Sequence, residues 1–132
     1  MTGYIKKCET KQTRAVFSSQ LNANETVFGG ELMKWMDETA YLTATRLTRR
    51  RMFTVKVDNV RFLKAIERDS IIELTGRVAS VGKVKVKIVV EVFVEEMYGV
   101  GQDKALEGEF IFASLNEENL PVPIELPQYE SA

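Results

Sequence analysis

Hydrophobic and polar residues follow two different periods along the chain. From Glu31 to about Leu47 the apolar residues recur at helical spacing. At about 100° per residue they form one continuous stripe, made of Leu32, Met33, Met36, Ala40, Ala44 and Leu47. The pattern predicts a long helix that packs one face against a sheet. Trp35 falls opposite the stripe, which suggests a contact with another subunit.

The second half of the chain alternates between apolar and polar residues, as strands do. The clearest strand is VKVKIVVEVFVEE, in which every second residue from Val84 to Val94 lies on one face. Other strands are predicted around Thr10–Ser18, Phe53–Val57, Ile72–Val78 and Ala105–Leu115. Residues 21–26 read as a polar loop, and the tail LPVPIELP should lie on the surface because its prolines cannot continue a sheet. One helix against an antiparallel sheet is a two-layer α+β domain, here predicted over residues 1–132.

Composition narrows the class of protein. The chain has 132 residues and a net charge of −1, which predicts one domain and no bulk attraction to nucleic acid. No apolar run approaches the length of a membrane span, and the N-terminus lacks the apolar core of a secretory signal. Cys8 is the single cysteine, so no intrachain disulfide can form and a reducing compartment is indicated. The sequence therefore predicts a cytoplasmic protein without nucleic-acid or membrane partners, whose N-terminus around Cys8 is mobile.

The sequence contains no histidine. Within one chain this excludes Ser-His-Asp and Cys-His triads and histidine-rich metal sites, and one cysteine leaves no cysteine zinc cluster. No metal site is predicted. Acid–base chemistry would have to be carried by carboxylates, lysines, tyrosines or water.

Asp37 is the acid that lies against the apolar stripe, whereas Glu31 and Glu38 fall on the opposite side of the helix. Desolvation disfavours a carboxylate there unless donors satisfy it. One interpretation is structural: a hydroxyl such as that of Thr39, or a side chain from a partner, satisfies Asp37. The other is chemical, because Gly29-Gly30 bring unhindered N–H groups to the positive end of the helix, where they can stabilise an oxyanion. Alone, the two glycines equally suit a turn or close packing.

Asn22 and Asn24, before the glycines, can position water or serve as ordinary turn residues. Together, the amide, the N–H donors and the half-buried acid make a possible acyl-transfer site. The segment from Asn22 to Glu38, NANETVFGGELMKWMDE, resembles the hotdog-fold acyl-CoA thioesterases of the brain acyl-CoA hydrolase type. The similarity extends over nearly the whole chain, including Val60–Leu63 and the strand between Ser80 and Val94.

The resemblance implies a sheet wrapped around one long central helix, with homodimers joined edge to edge and assembled further into homohexamers. It implies hydrolysis of acyl-CoA to free fatty acid and CoA at the dimer interface, as part of fatty acid metabolism. No cofactor is needed, because CoA is part of the substrate. Asp37 would be the catalytic carboxylate, and Asn22 of the neighbouring chain would position water or substrate. The amides of Gly29 and Gly30 would polarise the carbonyl, with Asn24, Thr26 and Phe28 in supporting contacts with the substrate.

Basic residues are candidates for binding the CoA phosphates. Arg46, Arg49, Arg50 and Arg51 form the strongest cluster, and Lys83 begins a run of alternating lysines. Of these, Arg49, Arg50 and Lys83 are predicted to contact substrate. The alternative for the arginines is stabilisation of a helix C-terminus, and for the lysines a plain exposed face.

Two segments depart from the family pattern. They affect what can be expected of the contacts with CoA and of the preferred length of the acyl chain. Residues 64–70 replace a segment that often contains proline and Gly-Asp, and Val84 and Lys85 replace hydroxyl residues. The catalytic motif is intact.

Several alternatives stay open at this point. Asp37 can act as a general base on water, which we favour, or attack the thioester directly to form an anhydride. A non-catalytic acyl-CoA binding or sensing protein on the same scaffold is the second functional hypothesis. A hotdog dehydratase is disfavoured because such enzymes normally use a histidine.

Overall fold

Within residues 2–127, which the computed structural model describes, an antiparallel sheet of five strands packs around one long helix. Residue 1 and residues 128–132 of the predicted domain lie outside the described residues. The strand order is β1-β3-β4-β5-β2, and each neighbouring pair is antiparallel. The elements in chain order are α1 (Thr2–Lys7), β1 (Thr10–Ala15), a 3₁₀ turn (Ser18–Gln20), α2 (Gly29–Thr48), β2 (Met52–Phe62), β3 (Ser70–Val81), β4 (Lys85–Glu96) and β5 (Asp103–Ser114). The predicted α+β architecture is confirmed.

Helix α2 contacts all five strands and supplies the centre of the core. The predicted stripe is confirmed: Leu32, Met36, Ala40, Ala44 and Leu47 are buried, and Met33 packs partly against the core. The buried face is wider than the stripe, because it also contains three threonines. Each donates its hydroxyl hydrogen to the carbonyl four residues earlier in the helix, which allows a hydroxyl to be buried without an unmet hydrogen bond. They are Thr39, Thr43 and Thr48.

The prediction that Trp35 contacts another subunit is wrong. Its side chain is only 2% exposed, because β1 packs along that flank of the helix. The guanidinium of Arg14, on β1, lies over the indole ring at 4.2 Å from its centroid. The helical wheel placed Trp35 opposite the core because it assumed a flat sheet, whereas this sheet covers both flanks of α2.

The strands differ in how far the rest of the chain buries their side chains. Alternate residues of β4, from Val86 to Val94, are buried, as predicted. β2 also forms as predicted, but it is an edge strand with two register shifts. Its Val55 and Val57 remain 46% and 37% exposed. The tail lies on the surface as expected, where the Ile124 N–H donates to the carbonyl of Lys83.

The N-terminus is anchored, contrary to the expectation that it is mobile. α1 packs at the C-terminal end of α2, and the Tyr4 hydroxyl lies 2.9 Å and 2.7 Å from the carbonyl oxygens of Arg46 and Leu47. The Arg46 guanidinium donates back to the carbonyls of Lys7 and Glu9. Cys8 is buried beneath this contact, and burial raises the pKa of its thiol. A buried, protonated thiol is a poor nucleophile.

Gly76 on β3 marks the closest approach between the sheet and α2. In Gly76→Ala the new Cβ would lie 2.5 Å from Thr43 Oγ1 and 3.3 Å from the Thr39 carbonyl oxygen. Thr43 resists moving because its hydroxyl donates to that same carbonyl and its χ1 is restricted in a helix. We expect Gly76→Ala to lower the free energy of unfolding by about 1–3 kcal/mol, measured by urea denaturation. Gly3→Ala, which meets no atom within 4 Å, is the control; wild-type stability in Gly76→Ala would contradict this account of the packing.

Candidate active site

The turn from Asn22 to Thr26 is organised by one side-chain oxygen. Asn22 Oδ1 accepts hydrogen bonds from the Asn24 N–H (2.8 Å), the Thr26 N–H (3.3 Å) and the Thr26 hydroxyl (3.2 Å). The Asn22 N–H donates to the Thr26 carbonyl at 2.7 Å, and Glu25 takes a left-handed conformation with φ 62°. The Thr26 hydroxyl and the Asn24 N–H are therefore engaged within the turn. The Asn22 side-chain NH₂ has no partner within residues 2–127 and remains available to a ligand.

The start of α2 presents free backbone donors. The N–H groups of Val27 and Phe28 are used to fix the loop, donating to the carbonyls of Ile66 and Gln20. Phe28 then occupies the N-cap position, where it has no side chain able to cap the helix. Gly29 and Gly30 are the first two helical residues, and within the described chain no acceptor contacts their N–H groups. The first turn of the helix is thus a pair of uncapped donors at the positive end of the helix dipole.

The packing of the single chain does not explain the two glycines. Neither has a left-handed φ, and a Cβ built on either would meet no atom within 4 Å. The alternatives of a tight turn or close packing therefore have no support within the described residues. The open space above the glycines leaves room for a ligand to approach their N–H groups.

Asp37 is half-buried on the edge of the buried face of α2. Its Oδ1 accepts a hydrogen bond of 2.7 Å from the hydroxyl of Thr54 on β2. The prediction that the Thr39 hydroxyl satisfies Asp37 is wrong, because that hydroxyl is buried and lies near the Trp35 carbonyl and Gln12 Oε1. Oδ2 of Asp37 has no hydrogen-bond partner in the part of the chain that is described. One carboxylate oxygen is therefore held in place and the other is free.

Sequence reasoning missed Thr54. It lies 17 residues after Asp37 on a different element, so no local spacing connects the two. The only signal in the sequence is a hydroxyl residue near the start of the strand that follows the helix. That signal does not identify a partner for Asp37 until β2 is known to lie at the edge of the sheet, beside α2.

The candidate residues fall into two groups in one chain. We call Asn22, Gly29 and Gly30 the amide half-site, and Asp37 with Thr54 the acid half-site. Gly30 and Asp37 lie on the same side of α2 but are seven residues apart, which is about 10 Å along the axis. One carbonyl group cannot contact both. No hydrogen bond joins Asn22 to Asp37 within residues 2–127 either.

The acid half-site lies beside an unpaired edge of the sheet. β2 is hydrogen-bonded only to β5, so its other side presents unpaired backbone groups over 11 residues. Exposed apolar side chains accompany that edge, namely Val55, Val57 and Phe62. A long apolar edge strand of this kind readily pairs with another chain.

An apolar groove of about 350 Å³ lies next to the amide half-site. Its walls are Val27 and Leu32 from the loop and helix, Phe62 at the end of β2 and Ile66 from the segment that follows β2. Gly29 contributes to the same groove. A hydrocarbon chain placed there would lie directly beside the free donors.

The predicted phosphate ligands lie at the opposite end of α2. Arg46 is committed to α1, as described above. Arg49 ends the helix in a left-handed conformation and lies near Tyr4, whereas Arg50 is exposed. Lys83 lies in the β3–β4 turn, close to the tail. The structure therefore gathers these cations at one end of the fold and the free N–H donors at the other.

No group of histidine, cysteine and carboxylate side chains suited to a metal ion occurs in the described part of the chain. Among residues 2–127, no helix is long and apolar enough to cross a membrane.

Known proteins are similar to this chain in sequence and in fold. The family model described as the thioesterase superfamily matches residues 24–100. The chain is 31% identical over 123 residues to YkhA of Bacillus subtilis, which is named an uncharacterized acyl-CoA thioester hydrolase; the match covers 93% of this chain and 72% of YkhA. The structure of an apo-hexameric acyl-CoA thioesterase superposes with a TM-score of 0.87 and 26% identity, over 96% of this chain and 82% of that one.

An acyl-CoA hydrolase from Staphylococcus aureus, solved with butyryl-CoA, CoA and CoA disulfide, superposes with a TM-score of 0.85 and 26% identity, over 97% of this chain and 78% of that one. It has also been solved with one asparagine, one aspartate or one threonine replaced by alanine. In that protein the aspartate follows the asparagine by 15 residues, and the threonine follows the aspartate by 17. Asn22, Asp37 and Thr54 have the same two spacings.

Proposed function

This chain belongs to the thioesterase superfamily, and from that premise we propose that it hydrolyses acyl-CoA thioesters to a free acid and CoA. The observation that carries the proposal is the state of Asp37. Its carboxylate is oriented through one oxygen by Thr54, while the other oxygen is free beside an open edge of the sheet. The hydrolase names of the relatives and the matched spacings of Asn22, Asp37 and Thr54 support the same conclusion.

In the proposed reaction, the free oxygen of Asp37 takes a proton from water as the water oxygen attacks the thioester carbonyl carbon. The N–H groups of Gly29 and Gly30 donate to the carbonyl oxygen as it becomes negative, an interaction worth on the order of 10²–10³ in rate for one donor. The C–S bond then breaks and CoA leaves as a thiolate. The thiolate takes the proton from Asp37, which restores the carboxylate. No cofactor enters these steps, because the leaving group is already part of the substrate.

One thioester needs both half-sites, and one chain holds them about 10 Å apart. We therefore infer that the amide half-site of one chain faces the acid half-site of a second copy. Pairing of two β2 edges in a symmetric dimer would satisfy their backbone groups and cover Val55 and Val57. The hexameric thioesterases among the structural neighbours support further assembly of such dimers into a homohexamer.

The acyl chain of the substrate fits the apolar groove beside Gly29. Leu32 and Ile66 form its buried floor, and Phe62 is exposed at its rim. Burial of each methylene there stabilises the bound substrate by up to about 0.8 kcal/mol, so the length of the groove would set the chain-length preference.

The first test is thiol release from a panel of acyl-CoA thioesters, short to long, by wild type and Asp37→Asn. The asparagine keeps the shape and can still accept from Thr54, but it cannot take a proton. We expect its kcat to fall by about 10²–10⁴, the usual contribution of a general base. Glu38→Gln, which changes the neighbouring exposed acid, is the control and should retain activity.

Turnover by Asp37→Asn at the rate of wild type would overturn the role of Asp37. If wild type binds acyl-CoA tightly but releases no thiol from any member of the panel, the hydrolase proposal fails and the protein is an acyl-CoA binder.

Asn22 allows structure and chemistry to be separated. Asn22→Asp keeps the Oδ1 acceptor that organises the turn, but it removes the free NH₂ donors. We expect a melting temperature near that of wild type and a kcat/KM lower by roughly tenfold to hundredfold, since a lost hydrogen bond to a reacting group leaves its partner unsatisfied. Asn22→Ala should lose both stability and activity. Full activity in Asn22→Asp would show that the turn alone accounts for this asparagine.

A further inference from the structure

The turn of the amide half-site rests on a neighbouring segment, residues 66–70, which we call the brace segment. The Val27 N–H donates to the carbonyl of Ile66 at 2.8 Å. Thr26 forms an isolated antiparallel bridge with Glu67. These backbone contacts hold the end of the turn that leads into α2, and they leave the tip of the turn to side-chain contacts.

The brace segment is itself fixed to the rest of the fold. Ile66 is 1% exposed, and Ser70, which begins β3, is also buried. Between them, the Asp69 carbonyl accepts a hydrogen bond of 2.9 Å from the Met97 N–H, just after β4. Arg68 therefore extends from backbone that is held on both sides.

Arg68 joins the brace segment to the tip of the turn. Its guanidinium donates to Glu25 Oε2 at 2.7 Å. The Glu25 N–H donates in turn to the Asn22 carbonyl at 3.0 Å. Arg68 is thus two hydrogen bonds away from Asn22, the residue whose side-chain NH₂ is available to a ligand.

The backbone conformation of Glu25 gives this ion pair its meaning. Its φ of 62° lies in the left-handed region, which glycine and asparagine adopt at lower cost than glutamate does. The shape of the turn therefore does not explain a glutamate at this position. The carboxylate does explain it, because it is the group that binds Arg68.

We propose that Arg68 is a positioning residue for the amide half-site, an inference that rests on the proposed function. The side chains of Arg68 and Glu25 are 58% and 65% exposed, and exposed ion pairs add little to global stability. The effect of this pair is local. It restricts the tip of the turn and, through the turn, the direction of the Asn22 side chain toward the substrate.

The test measures kcat/KM on one acyl-CoA and on the same acyl group carried by pantetheine. The variants are Arg68→Gln, Glu25→Gln and the double variant, with Lys11→Gln as a control that breaks another exposed ion pair, on β1. We expect each single variant to lose about twofold to fivefold in kcat/KM on both substrates, the factor to which an exposed ion pair corresponds. The double variant should lose no more than either single variant, because both remove the same contact.

Arg68→Lys is the conservative variant. Its ammonium can make the same contact with one carboxylate oxygen, so it should retain wild-type kcat/KM, as should Lys11→Gln.

A direct contact between Arg68 and the phosphates of CoA would give a different pattern. Arg68→Gln would then lower kcat/KM on acyl-CoA alone, and Glu25→Gln would raise it by releasing the guanidinium. That pattern contradicts the proposal, and so do losses that multiply in the double variant.

Glu25→Gly separates positioning from folding. Glycine adopts the left-handed conformation without strain, so the melting temperature should be at or above that of wild type. Its kcat/KM should nevertheless fall at least as far as that of Glu25→Gln, because the tip of the turn is no longer held. Wild-type kcat/KM in Glu25→Gly would show that Arg68 has no positioning role.

Exchange of amide hydrogens with water, followed by NMR, tests the brace without relying on turnover. The N–H groups of Asn24 and Thr26, which donate to Asn22 Oδ1, should exchange about twofold to fivefold faster in Arg68→Gln and in Glu25→Gln. N–H groups of β4 should exchange as in wild type. The two substitutions change the local charge in opposite senses, so faster exchange in both reports the lost contact.

This measurement separates the two proposals. If wild type releases no thiol, the hydrolase proposal fails, and amide exchange still decides whether Arg68 holds the turn. Unchanged exchange at Asn24 and Thr26 in both variants would overturn the role of Arg68, whether or not the protein is a hydrolase.

Discussion

A single helix has to fill the concave side of a five-stranded sheet, and the other features of the fold follow from that constraint. Because β1 covers one flank of α2, the helix needs a buried face wide enough to include Trp35 and three threonines. The threonines bond back to their own helix, and Gly76 lets the sheet approach it closely. One strip of the helix remains partly uncovered, on the side toward the edge strand β2. Asp37 and Tyr41 lie on that strip.

The position of this strip gives the acid its environment. Burying a charged carboxylate fully in the core costs free energy and favours its protonated form. A carboxylate in open solvent would have no fixed orientation. Asp37 lies between these extremes, with Thr54 holding one oxygen. The same edge of β2 leaves its backbone groups and two valines without partners in the chain. A second copy that paired there would protect the edge and would bring another helix start toward Asp37. In the proposed dimer, assembly and chemistry would then depend on the same strand.

Much of the fold is predictable from the sequence, because the spacing of apolar residues within a segment indicates which of its side chains are buried. The alternation of β4 and the apolar stripe of α2 each follow from neighbouring residues, and so does the position of Asp37 at the stripe's edge. The uncapped glycines were also recognisable, since glycine pairs at a helix start are a local signal. What the structure adds to them is open space, so packing within the single chain does not explain their presence.

The features that were missed depend on contacts distant in sequence. The helical period places Trp35 on the wrong side, because the period of the helix alone does not reveal how the sheet curls around it. The run of arginines predicts Arg46 as a phosphate ligand, whereas carbonyls 37 and 39 residues earlier in the chain hold its guanidinium. Thr54 acquires its role only when β2 is placed against α2. In each case the deciding partner lies on another element, which the period of one segment does not reveal.

The claim that one site is built from two chains can be tested directly by mixing two inactive variants, Asn22→Ala and Asp37→Asn, after dissociation and reassembly. If Asn22 and Asp37 act across the interface, each hybrid dimer contains one site with both native residues. Equal mixing should then restore about a quarter of wild-type thiol release, as expected for random pairing in a two-fold dimer. If both residues act within one chain, no hybrid contains an intact site, and a mixture as inactive as its components would contradict the account.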